Sequence, residues 1–480
     1  MNLSISVKWP FFQRLLARAG SALVVGCLLH ACRDKPSPPS GQPPVGVVPV
    51  KVVHTAQGYQ LLRGGTPYFI KGGAGLQHYD QLRAAGANSV RLWSADYADD
   101  RMNEAHRHGL TVLLGLWLEH ESKKFDYYDK EQVARQHKKL RQQVLRYRSH
   151  PALLAWDMGN EINYESANPE LYRAINDAAR MIHELDPYHP VTISLTSTLE
   201  NLNRIKRLCS AVDFVSVNAF GNLIDLNQRL TEQGWTGPYI VTEFGARGYW
   251  ESKKTTWQAA EEQTSMAKAL FTQERYTNAV LANSDRCLGA YAFYWGSKFE
   301  YTATWFSLFA PTGEKTETVD VMQKLWTNRF PANRAPQVSA LRLASPLPSR
   351  NLRLESGQEY PVEVLATDPE NDSLRVTWEV VPEVKKDLLN PTEQFATPTV
   401  PIDNCVRQTS GLRAVLRTPT QPGPYRLLVS VFDGKGSVAT ANAPFYVLPV
   451  LASRWLQPSL AQTTNAVWSS KSTHKESIQQ

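Results

Sequence analysis

The sequence predicts an α/β protein: a (β/α)8 TIM barrel followed by a smaller all-β, immunoglobulin-like sandwich. Three observations carry this. Between residues 68 and 330, eight short apolar runs alternate with polar segments whose apolar residues recur at helical spacing. From 337 to 449 that periodicity disappears, and alternating strand-length runs bounded by turn residues replace it. Between the two patterns lies Pro331-Ala-Asn-Arg-Ala-Pro336, a linker composition. The size agrees, since 480 residues allow about three domains at ~150 residues each. A hydrophobic content of 42% supplies a sizeable core and excludes general disorder.

Residues 1–31 read as a targeting segment. Lys8, Arg14 and Arg18 precede the apolar stretch Ser21–Ala31, which is too short to span a bilayer as a helix. Leu29-His30-Ala31-Cys32 resembles a bacterial lipobox, which makes Cys32 the expected lipidation site of a lipoprotein signal. Val24-Val25-Gly26-Cys27 is a weaker alternative, because apolar residues would follow the cut. Residues 32–50, with six prolines, read as a tether from a membrane lipid anchor to the first domain. The expected location is therefore the cell envelope, facing the periplasm or the exterior. Net charge is +7, and loss of the three leading cations leaves +4 with no long basic run, which argues against nucleic acid as a partner. Cys209, Cys287 and Cys405 make no disulfide framework and lack metal-ligand spacing, so they read as buried apolar residues. The 13 Trp and 19 Tyr suit either a stacking surface or a large core.

Residues 51–70 read as a hairpin with turns near Gly58 and Gly64-Gly65. The barrel strands are expected at 68–71, 89–93, 111–118, 153–157, 191–195, 214–218, 239–243 and 288–295, within a domain spanning 51–330. Helices are expected at 130–147, 169–185, 255–281 and 318–327, among others. An open doubly wound sheet is the alternative, but Gly72-Gly73-Ala-Gly75 is only a faint echo of a phosphate loop. In the sandwich, strands are expected at 360–366, 374–380, 425–432 and 438–447, and a linker with few contacts should leave the barrel able to fold alone. Asp368, Glu370, Asn371 and Asp372 offer the hard oxygens calcium favours, but no second ligand set is visible in the sequence, so they read as an Asp-Pro turn and no metal is assigned. Residues 450–480 read as a disordered tail.

Functional residues of such a barrel sit at the carboxyl ends of its strands. Strand two ends in Arg91-Leu-Trp93 and strand four in Trp156-Asp-Met-Gly-Asn160-Glu161. Strand six ends in Asn218-Ala-Phe220, strand seven in Thr242-Glu243-Phe-Gly245, and strand eight in Tyr294-Trp295-Gly296. Two carboxylates thus end strands four and seven, and barrel closure brings them to one mouth. Glu119-His120-Glu121, after strand three, lacks the helical spacing of a metalloprotease motif and reads as loop.

This set, in this order, resembles the clan A glycoside hydrolases. Trp-Asp-Met-Gly-Asn-Glu and Val-Thr-Glu-Phe-Gly are most similar to the catalytic domain of glycoside hydrolase family 2, with some likeness to membrane-anchored β-1,3-glucanosyltransferases. The resemblance implies a retaining glycosidase acting on β-linked oligo- or polysaccharides, without cofactor or metal. Glu161 would be the general acid/base and Glu243 the nucleophile. Arg91 would hold Glu243, Asn160 would meet the sugar 2-hydroxyl, Trp295 would floor the subsite of the cleaved sugar, and Asn218 would join Arg91, Asn160 and Trp295 as a substrate-binding residue. Phe220 stands where relatives often carry a tyrosine that hydrogen-bonds the nucleophile. Transglycosylation, a non-catalytic glycan-binding lipoprotein and a structural surface module are the competing functions.

Overall fold

The computed structural model describes residues 43–164, 166–344, 351–384 and 398–449. The expected signal, the lipidation site Cys32 and the tail 450–480 lie outside these residues. Of the expected tether, only residues from 43 onward are described. Val47 is already buried, and Val50 begins the first strand.

Strands β1 (Val50–Thr55), β2 (Gly58–Arg63) and β3 (Thr66–Pro67) form the antiparallel ribbon expected from the glycine turns. Leu61 packs with Ile70, Leu113, Leu154, Phe214, Ile240 and Leu288, all from barrel strands, so the ribbon plugs the barrel. The barrel is closed and parallel: β4 (Ile70–Ala74), β5 (Ser89–Leu92), β6 (Thr111–Leu116), β7 (Leu153–Met158), β8 (Val191–Thr196), β9 (Phe214–Asn218), β10 (Tyr239–Phe244) and β11 (Cys287–Phe293). All eight expected runs are barrel strands, the first displaced because Tyr68 and Phe69 precede its pairing. Around them lie α1 (Tyr79–Ala84), α2 (Ala98–Arg107), α3 (Lys130–Tyr147), α4 (Pro169–Leu185), α5 (Leu202–Leu208), α6 (Leu226–Glu232), α7 (Ser265–Arg275) and α8 (Glu317–Thr327). Asp129 caps α3 by accepting from the N–H of Glu131 and Gln132, and Asn168 caps α4 with Pro169 in its first turn. The helix expected from residue 255 begins only at Ser265. Thr264 accepts from Ala267 N as its cap, and residues 255–263 stay outside it.

Closure excludes the doubly wound alternative and explains the glycines. A Cβ on Gly72 would stand 2.2 Å from the Tyr291 ring, and one on Gly75 would stand 1.9 Å from the Trp295 carbonyl oxygen. These glycines admit a tyrosine to the lumen and the last strand to its neighbour, with no phosphate involved.

The second domain stacks two four-stranded sheets around a shared apolar core. Their strands are β12 (Gln337–Leu343), β13 (Arg353–Glu355), β14 (Glu359–Thr367), β15 (Arg375–Pro382), β16 (Val406–Ser410), β17 (Arg413–Arg417), β18 (Gly423–Phe432) and β19 (Val438–Leu448). Four of these strands, β12, β13, β16 and β17, were not individually foreseen. They are short or edge strands with little alternation to reveal them.

The linker with few contacts is corrected by the structure, because the sandwich packs on the barrel through buried polar groups. Arg426, 1% exposed, donates to the Ala260 carbonyl of the barrel at 2.8 Å and to both Glu383 oxygens at 2.8 and 3.1 Å. Glu262 binds Lys268 within the barrel and accepts from Asn442 of the sandwich at 2.6 Å. Ser265 Oγ, at the start of α7, accepts from Thr440 N at 3.0 Å. Separating the domains would strand these groups. Arg426→Ala leaves Glu383 buried without its cation and is expected to lower unfolding stability by about 3–5 kcal/mol, read by urea denaturation of the full chain.

Candidate active site

Period-two alternation places the site. On β5 Val90 and Leu92 face the helices, while Ser89, Arg91 and, just beyond the strand, Trp93 face the lumen. Arg91 has no exposed surface and lies at the hub of the mouth. Its Nη1 donates to Glu243 Oε1 at 2.6 Å and its Nε to Asp157 Oδ2 at 3.2 Å. Its Nη2 donates to Asn160 Oδ1 at 2.9 Å and to Ser194 Oγ at 3.1 Å. One guanidinium thus ties β5 to β7, β8 and β10, using the fixed fork of donors that lysine lacks.

Glu243 reaches this hub through a bulge. Between Val241 and Glu243 the register on β9 advances by one residue, so Val241 faces Val217 and Glu243 faces Asn218. Trp93 Nε1 also donates to Glu243 Oε1, at 2.8 Å. Both donors converge on Oε1, and no hydrogen bond reaches Oε2 among the described residues. Trp93 was quoted in the strand-two motif without a role. Its indole N–H supplies the second donor to Glu243. Phe220 itself is buried against Phe293 and the exposed Trp250.

Glu161 is half-buried and sits in the left-handed region at φ 54°, two residues after Gly159 at φ 66°. That conformation is uncommon for a residue with a Cβ. Several bonds hold it. Tyr164 N donates to the Glu161 carbonyl at 2.9 Å, His120 Nε2 bonds the Asn160 carbonyl at 3.0 Å, and Asn218 Nδ2 donates to Glu161 Oε1 at 3.2 Å. Asn218 Nδ2 also donates to Asn160 Oδ1 at 3.2 Å. The Asn160 oxygen is thereby occupied, while its NH2 makes no hydrogen bond among the described residues. His120, read as a loop residue from the sequence, proves to buttress the Asn160–Glu161 turn.

Burial, reinforced by the Glu243 charge, pushes the Glu161 carboxyl up to about 7, against the opposing effects of Asn218 and Arg91. Asp157, with no exposed surface, is also raised by burial, against the pull of Arg91 and of the Ser194 hydroxyl, whose one hydrogen is shared between both Asp157 oxygens at 2.8 Å. The mouth therefore pairs one carboxyl protonated near neutrality with another held in an ion pair.

The structure corrects the expectation for Trp295. This residue has no exposed surface, donates its indole N–H to the His78 carbonyl at 3.1 Å, and packs with Phe309 and Trp326 in the layer between strands and helices. Facing the helices, it cannot floor a sugar subsite. The inward aromatics of this segment are Phe293 and Tyr294, both packed on Trp93. Arg91, Asn160, Glu161, Asn218 and Glu243 are joined in one hydrogen-bonded chain. Isotope-edited NMR of the side-chain carboxyls tests the electrostatics: Glu161 is expected to titrate at about 7. Its midpoint should fall in Glu243→Gln, which removes the neighbouring charge, and rise in Asn218→Ala, which removes the bond favouring its ionised form.

Residues 77–304 match the model of the glycosyl hydrolases family 2 TIM barrel domain. A β-glucuronidase of Paenibacillus borealis is 27% identical over 246 residues, covering 42% of this chain and 38% of that protein. A β-glucuronidase of Chlorocebus aethiops is 25% identical, with 42% and 34% covered. The chain thus spans well under half the length of these relatives. The crystal structure of Ruminococcus gnavus β-glucuronidase is 14% identical with a TM-score of 0.46, covering 59% of this chain and 53% of that one. The closed barrel thus lies within a stretch that resembles the glycosyl hydrolases family 2 TIM barrel domain over residues 77–304.

Proposed function

We propose that the protein hydrolyses O-glycosidic bonds of β-linked glycans with retention of configuration, by double displacement at Glu243 and Glu161. The observation that carries this is the opposed state of the two carboxyls: Glu161 is raised to about 7, and Glu243 is ion-paired with Arg91. Retaining hydrolysis needs a proton for the leaving oxygen and a carboxylate for the anomeric carbon.

In this reading Glu243 attacks through Oε2, since Oε1 is held by Arg91 and Trp93. Glu161 protonates the departing oxygen and then deprotonates the incoming water. When the glycosyl ester forms, Glu243 loses its charge and the rise it imposes on Glu161 weakens, which favours the switch from acid to base. Asp157 remains beside Arg91 throughout, so the buried guanidinium is never left without an anion. The Asn160 NH2 donates to the sugar 2-hydroxyl, a contact that tightens at the transition state. Trp250, half exposed beside Phe220 on the loop after β10, gives the mouth an aromatic rim suited to a sugar ring. The names of the relatives make an aryl β-D-glucuronide the first substrate to try, beside aryl β-glucosides, galactosides, mannosides and polysaccharides.

On whichever substrate is turned over, proton NMR should show the product anomer with retained configuration first; inversion overturns the assignment of Glu243. Glu243→Ala should lose activity by a factor of about 10⁴ or more, as expected when covalent catalysis is removed. Glu161→Ala should suffer less on substrates with a good leaving group and should be partly restored by azide.

We also propose that Cys32 carries a lipid that anchors the protein at the cell envelope. The lipobox-like Leu29–Cys32 supports this. Growth with a radiolabelled fatty acid should label the wild-type chain and not Cys32→Ser, and the variant should leave the membrane fraction. A wild-type chain without label rules the anchor out.

A further inference from the structure

The loop carboxylates of the sandwich, dismissed above as a turn, gain a partner when the chain folds. Asp368 and Asp372 follow β14, and Asp433 follows β18, 61 residues beyond Asp372 in sequence. One carboxylate oxygen from each lies within 4.8 Å of the others. The second ligand set that the sequence failed to reveal is thus supplied from the opposite sheet.

Two of these oxygens have no counterpart. Asp368 is 8% exposed, and its Oδ1 accepts from the N–H groups of Glu370 and Asp372 at 2.9 and 3.0 Å. Its Oδ2 is buried and has no hydrogen-bond partner among the described residues. Asp372 repeats the pattern: Oδ1 takes Lys435 Nζ at 2.5 Å, while Oδ2 is buried without a partner among them. A native fold seldom leaves a carboxylate oxygen buried without a donor, because the lost hydration is not replaced. Charge repeats the argument. Three carboxylates face one ammonium, and the nearby cations are committed elsewhere, Arg334 to Glu370 and Lys315 to Asp320. The cluster is short of two positive charges.

We propose that Asp368, Asp372 and Asp433 bind a divalent cation, and that the cation is calcium. The donors are all hard oxygens, with no His or Cys in the group, which disfavours zinc. The oxygens come from two independent turns, a variable geometry that calcium tolerates and magnesium does not, with water completing the coordination. The ion would bridge the turn after β14 to the turn after β18. Asn333 extends the bridge to the linker, donating to Asp433 Oδ2 at 2.8 Å and Ser437 Oγ at 3.1 Å. Calcium would therefore stabilise the sandwich where it meets the barrel, apart from Glu161 and Glu243.

The test titrates CaCl2 into the EDTA-stripped full chain by calorimetry and follows thermal unfolding with and without the ion. One site per chain is expected, with a rise in Tm of about 2–6 °C at calcium well above its Kd. Asp372→Asn should weaken binding at least tenfold and abolish the rise, and Asp368→Asn should do the same. Lys435→Met, which frees Asp372 Oδ1 and removes a competing cation, should bind calcium as tightly as wild type or more so. If Asp368→Asn does not fold, Asp372→Asn alone decides. Absence of heat and of any Tm change in the stripped wild type overturns the proposal. So does calcium binding that survives unchanged in the folded aspartate variants.

Discussion

The fully buried Arg91 guanidinium is the constraint on which the mouth of the barrel depends. Its charge can be tolerated there only because Asp157 and Glu243 both face it, and its remaining donors are taken by Asn160 and Ser194. These side chains come from three strands or the loop beyond one of them, Asp157 and Asn160 from β7 and its following loop, Ser194 from β8 and Glu243 from β10. The same bonds that satisfy the arginine therefore fix the relative positions of the groups proposed to react. Stability and preorganisation are one network here: loosening Glu243 would also leave a buried cation half paired.

The network divides the two glutamates by environment. Glu243 receives both donors on one oxygen, which orients the carboxylate and leaves the other oxygen open. Among the described residues Glu161 receives the Asn218 amide alone, and it sits in a strained backbone position beside a like charge. Its rise to about 7 comes first from burial and then from the Glu243 charge, with the single Asn218 bond opposing both. The second donor on Glu243 comes from Trp93, whose ring is in turn stacked on Tyr294.

The sandwich is bound to the barrel by groups that only the full chain can satisfy. Arg426, Glu262 and Lys268 are buried where the two meet, and Lys315 N donates to the Gly436 carbonyl at 3.1 Å. Separating the domains would leave these buried charges without their partners. The sandwich thus supports the barrel's outer wall around α7, and its role extends beyond that of a spacer.

The sequence by itself determined the barrel, the sandwich and the identity of most site residues. Period-two strands and 3.6-residue helices are short-range patterns, and the polar residues that interrupt an apolar run at its carboxyl end mark a mouth. Arg91, Asn160, Glu161, Asn218 and Glu243 were legible for that reason. Tertiary structure decided what depends on parity and on partners distant in the chain. Trp295 ends the same apolar run as Phe293, yet its packing on Phe309 and Trp326 and its bond to the His78 carbonyl set it on the helix side. The bulge at Glu243 is a register shift against β9, invisible within β10 alone. Trp93, His120 and Asp157 acquired roles only when closure brought 150, 40 and 66 residues of separation down to hydrogen-bond distance. Asp433 joined Asp368 and Asp372 by the same means, through the pairing of strands that no local pattern specifies.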